Sequence, residues 1–114
     1  MLDLNKKIAT LLSDIAPVEL AGSEKPLQLP SIYIEMVSNM TDVGFDNRDF
    51  LTQFIYQIDV YAETPQKCCE MAQCIDNVMQ DNGWQRTQGS LIGRQRYVLT
   101  YTALVTEKFD TYKE

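Results

Sequence analysis

The segment FLTQFIYQIDVYA, residues 50–62, keeps Phe50, Thr52, Phe54, Tyr56, Ile58, Val60 and Ala62 on one side of an extended chain. Leu51, Gln53, Ile55, Gln57, Asp59 and Tyr61 fall on the other. A period of two held this long specifies a β-strand with one face in a core, because successive side chains point to opposite faces. Immediately afterwards the period changes. Thr64 supplies a capping hydroxyl and Pro65 a residue preset for the first helical turn. Cys68, Met71, Ala72, Ile75, Val78 and Met79 then recur at helical spacing until Gly83 gives a natural stop. A strand followed at once by an amphipathic helix excludes an all-α or all-β chain.

The flanks extend this pattern. Leu4, Ile8, Leu11, Leu12 and Ile15 predict an N-terminal helix over residues 3–15, capped by Asp3 and closed off before Pro17. VELAG suggests a short extended piece, and SIYIEMVS (31–38) alternates as a strand. NMTDVGFDNRD (39–49) has turn composition. WQRTQ (84–88), GSLIG and RQRYVLTYTALVTE (94–107) supply the remaining strands, with Tyr97, Leu99, Tyr101, Ala103 and Val105 sharing a face. The expected fold class is α+β in the order α-(β)-β-β-α-β-β. It has an antiparallel or mixed sheet with two helices on one face. Residues 1–114 form a single domain, with 107–114 as a flexible tail.

The outer sheet face keeps Leu51, Ile55 and Tyr61 among polar groups. Such a patch implies a cover, either neighbouring subunits or the chain's own terminal EKFDTYKE.

Chemistry is sparse. The chain has no histidine, which excludes Ser–His–Asp and Cys–His catalysis within one chain and zinc held by imidazole. Its three cysteines, Cys68, Cys69 and Cys74, point in different directions from a helix and make no C-x-x-C motif. They read as small apolar fillers in a reducing compartment. Asp42, Asp46 and Asp49 are hard oxygen ligands, but the spacing fails the EF-hand pattern, and turn formation explains them as well. No cofactor or metal is expected. The net charge of −6 disfavours general nucleic-acid binding. The only basic grouping is Arg86, Arg94 and Arg96. No apolar run is long enough to span a bilayer and the N-terminus lacks a secretion signal, so a soluble cytoplasmic chain is expected.

LPSIYIEMV, the strand ending IDVYA, the helix closed by Gly83 and Trp84, and RYVLTYTALV together resemble the tail terminator (tail completion, minor tail) proteins of long-tailed bacteriophages and prophages. The likeness follows the order of elements along nearly the whole chain, and residues 39–49 depart from it. It implies a non-enzymatic subunit that forms a ring, typically of six, at the head-proximal end of the tail. The ring ends tube polymerisation and receives the head connector. Its implied partners are its own copies, the tail tube protein and the connector or neck protein, with DNA passing the pore without specific binding and no membrane contact. The implied locations are the bacterial host cytoplasm during assembly and the virion tail. Leu51, Ile55, Tyr61, Asp42, Asp46 and Asp49 are the candidate partner surface. A neck or head–tail connector protein, and a small ligand-binding or enzymatic α+β domain, are the alternatives.

Overall fold

The computed structural model describes residues 4–20, 28–43 and 49–108, with side chains at 4–20, 28–38 and 52–104. The elements are α1 (Leu4–Leu12), β1 (Val18–Leu20), β2 (Ser31–Val43), β3 (Asp49–Tyr61), α2 (Pro65–Asp81), β4 (Gln85–Ile92) and β5 (Arg96–Lys108). They form one mixed five-stranded sheet in the order β1-β2-β3-β5-β4. β1 runs parallel to β2, and every other neighbour is antiparallel. The fold class is therefore α+β, as the periodicities require.

Both helices lie on one face of the sheet. Leu4, Ile8 and Leu12 of α1 are buried, as are Cys68, Met71, Ala72, Ile75 and Met79 of α2. They meet Ile32 and Ile34 of β2, Phe54, Tyr56, Ile58 and Val60 of β3, and Leu99 and Tyr101 of β5 in a single cluster. Each fully buried aliphatic or aromatic side chain there contributes about 1.5–3 kcal/mol of transfer free energy. Trp84 closes the cluster with an edge-on contact to Tyr56, ring centroids 5.5 Å apart.

Local chemistry sets the helix limits. The Thr64 hydroxyl accepts the Lys67 N–H at 3.1 Å, which caps α2. At the other end Gly83 takes φ +88, a left-handed value that side chains resist, and the Trp84 N–H returns to the Met79 carbonyl. The first helix ends at Leu12, short of the expected residue 15. There the Ser13 hydroxyl donates to the Thr10 carbonyl, and the Ile15 N–H bonds the Leu12 carbonyl in a tight turn.

Two strand boundaries differ from the sequence expectation. Of the loop expected over 39–49, residues 39–43 are strand, since Asn39 to Val43 pair with Phe54 to Phe50, and Asp49 opens β3; residues 44–48 lie outside the described residues. Turn-forming residues yield here to a long partner that zips antiparallel against them. A bulge between Met36 and Ser38 shifts the register and ends the simple alternation seen from Ile32 to Met36. At the C-terminal end, Glu107 and Lys108 pair with Phe50 and Asp49, so the proposed tail begins as strand; residues 109–114 lie outside the described residues.

The 13-residue strands extend about 43 Å, whereas the 17-residue α2 covers about 25 Å. The sheet therefore outruns its helices. The molecule measures 52 × 26 × 21 Å, and its three 13-residue strands account for most of the long axis.

Candidate interaction surface

The outer face of the sheet has no helix over it among the described residues, because both helices occupy the inner face. Three antiparallel strands supply its side chains, in register Tyr33↔Asp59↔Val98 and Tyr61↔Arg96. At one end a polar cluster forms. Arg96 pairs with Asp59 at 2.7 Å, Gln57 donates to the other Asp59 oxygen at 3.0 Å, and the guanidinium lies 5.9 Å above the Tyr61 ring. Tyr33 meets Tyr61 edge-on at 5.6 Å. The Arg96 Nε is enclosed with no hydrogen-bond partner among the described residues. Towards the other end the face becomes barer. Gln53 donates to the Thr102 hydroxyl, Ile55 is half-buried, and Leu104 is 71% exposed.

The candidate residues read from sequence divide accordingly. Ile55 and Tyr61 share this face and are half-buried. Leu51 sits in β3 paired with Asp42 and Thr106, and Asp49 pairs with Lys108. The side chains of Leu51, Asp42 and Asp49 lie outside the described residues, as does Asp46 altogether. Two of the three aspartates thus belong to strands rather than to an acidic loop. Among the described residues no group of three Cys, Asp or Glu side chains is gathered as a metal site needs.

The cysteines also separate. Cys68 is buried, and its thiol donates weakly to the Ala62 carbonyl at 3.9 Å. Burial pushes its pKa up, which disfavours the nucleophilic thiolate. Cys69 and Cys74 are exposed, so they are not the core fillers that the sequence suggests. Their offset around the helix, already visible in the spacing, is the physical reason.

The sequence pattern gave no indication of Asp76. It lies on α2 among apolar residues and is 7% exposed. One carboxylate oxygen accepts the buried Tyr101 hydroxyl at 2.7 Å; the other accepts Gln80 at 2.7 Å and faces Arg86 at 3.6 Å. Burial, and then the bond to Asp76, hold the Tyr101 phenol well above its ordinary pKa. This network ties α2 to the β4–β5 hairpin.

Concavities mark the surface among the described residues. One of about 410 Å³ is lined by Tyr61, Glu63, Ile92, Arg94, Gln95 and Arg96 at the hairpin end. A second, about 340 Å³, is bounded by Pro30, Thr64 and Lys67. A third, about 260 Å³, lies against Asn5, Leu20, Ile34, Glu35 and Met36. Their linings offer charge and apolar contact, chemistry suited to docking. Among the described residues no helix is long and apolar enough to cross a membrane.

No protein-family model matches the sequence, and no curated protein matches it.

Proposed function

We propose that this chain is a structural, non-catalytic subunit of a phage tail. In this reading it closes the head-proximal end of the tail tube as a ring, stops tube polymerisation and offers the surface that the head connector binds. The observation that carries the proposal is the outer sheet face, which no helix covers among the described residues and where Leu104 is 71% exposed and Ile55, Tyr61 and Val98 are half-buried. Apolar groups left exposed on a mixed face of this kind are costly to leave in water and are used by partners. The order of elements, which resembles tail terminators, supports the same reading. So does the net charge of −6, since an acidic pore wall lets DNA slide without sticking.

The test uses the cognate tail tube protein. Adding the purified chain to polymerising tubes should shorten them, and gold label on the chain should mark one tube end in electron micrographs. Label at the capsid vertex instead would assign the chain to the neck. Tubes of unchanged length with no label at either place would end the proposal.

A further inference from the structure

The two sides of the sheet differ in charge. From residue 82 to residue 106 the chain has three arginines and no acid. Strands β1 and β2, at the other end of the sheet order, contain Glu19, Glu35 and Asp42 and no Lys or Arg. The basic portion contains β4, an edge strand that pairs only with β5 among the described residues. Every side chain of β4 is exposed, including Leu91 at 40% and Ile92 at 46%. Its far edge therefore presents unpaired backbone donors and acceptors beside two apolar side chains, a surface open to pairing. Arg94 follows in the turn and makes no ion pair or hydrogen bond among the described residues, whereas Arg86 and Arg96 face Asp76 and Asp59.

The opposite flank, β1 with the start of β2, has the complementary character. Leu20, Met36 and Val37 are 51%, 41% and 55% exposed. Glu19 and Glu35 lie among them, and the concavity of about 260 Å³ opens between Leu20, Glu35 and Met36.

We infer that the β4 edge, with Ile92 and Arg94, docks on the β1–β2 flank of a second copy of this chain. Like edges do not suit each other. Two β4 edges set arginine against arginine, and two β1–β2 flanks set glutamate against glutamate, which is unfavourable. The contact is therefore head-to-tail, and a head-to-tail contact closes into a ring or grows into a filament. A nucleic-acid occupant is less suited to the hairpin, because two of its three arginines already face carboxylates and few remain for phosphates. The inference deepens the ring reading above by naming the surfaces that would close the ring.

Sedimentation velocity of the full chain over a concentration series tests it, in about 0.1 M and about 1 M salt, where the Debye length falls from about 10 Å to about 3 Å. Wild type should associate, and less so in high salt. Arg94→Glu and Glu35→Arg should each raise the dissociation constant at least about tenfold. The double exchange should return it to within about threefold of wild type, since it restores opposite charges across the contact. Lys67→Glu changes net charge by the same amount as Arg94→Glu but lies on α2, and should leave association within about twofold. Thermal melts by circular dichroism confirm that each variant is folded.

Three results overturn the inference: monomers at every concentration, single variants without effect, or singles that weaken association without recovery in the double. Tight binding of a fluorescent DNA duplex by the hairpin would overturn it as well. If copies associate by other surfaces, only this inference falls and the tail reading stands. If the charge exchange behaves as expected but tube ends are never bound, the tail reading falls and the interface remains.

Discussion

Tyr101→Phe removes one oxygen from the best-defined polar contact in the protein. Tyr101 is fully buried, and its hydroxyl donates at 2.7 Å to a carboxylate that is itself 7% exposed. In the variant one oxygen of Asp76 loses its donor at a largely buried site, while Gln80 and Arg86 still serve the other. A hydrogen bond to a charged group contributes about 1.5–3 kcal/mol, and about 2 kcal/mol is expected here because the carboxylate keeps part of its support. Unfolding entropy of about 2.1 cal/mol/K per residue gives roughly 0.24 kcal/mol/K for 114 residues. The loss should therefore lower Tm by about 8 °C. Urea unfolding of wild type, Tyr101→Phe, Asp76→Asn and the double variant measures it, at two protein concentrations so that association does not masquerade as stability. A coupling energy of about 1.5 kcal/mol or more between the two sites is the expected result. Tyr101→Phe within about 0.5 kcal/mol of wild type, with an unchanged m-value, would refute the reasoning that a buried charge holds α2 on the hairpin.

The same phenol gives a pH dependence. Its folded pKa is raised, so its contribution is complete below the unfolded value near pH 10 and is lost as pH rises further. Wild type should lose up to about 1.4 kcal/mol per pH unit above about pH 10 through this group, and the difference from Tyr101→Phe should narrow correspondingly in alkaline urea titrations. Thr64→Ala removes the acceptor for the Lys67 N–H and should cost about 1 kcal/mol, read from the urea midpoint. A thiol reagent applied to the native chain should label Cys69 and Cys74 quickly and Cys68 only on unfolding; three fast thiols would contradict its buried placement.

How far the fold could be read depended on how many residues repeat one signal. The 17 residues of α2 and the alternation from Phe50 to Tyr61 reinforce themselves over several periods, and the structure has both. Residues 39–43 carry turn chemistry locally, and only the pairing partner at 50–54 makes them strand. That information is non-local, and the bulge before Ser38 further hides it. Asp76 was invisible for a related reason. A carboxylate in an amphipathic helix ordinarily faces water, and its burial depends on Tyr101, 25 residues away. The uncovered face, by contrast, was already present in the pairing of Ile55 and Tyr61 with polar neighbours. Arg96 above Tyr61 was not, because the register that aligns them is set by the whole length of β5.

The order β1-β2-β3-β5-β4 places β5 inside the sheet, between two strands that precede it in the chain. Until Lys108 is synthesised, β3 and β4 each lack a neighbour, and Phe54, Tyr56 and Ile58 have only part of their wall. At about 5–20 residues per second, the interval between Tyr61 and Lys108 lasts roughly 2–9 s. For those seconds the nascent chain displays two raw edges at once, and crowded polysomes making many copies side by side give those edges each other to meet. Prompt completion of the 13 residues of β5 thus serves yield as much as architecture.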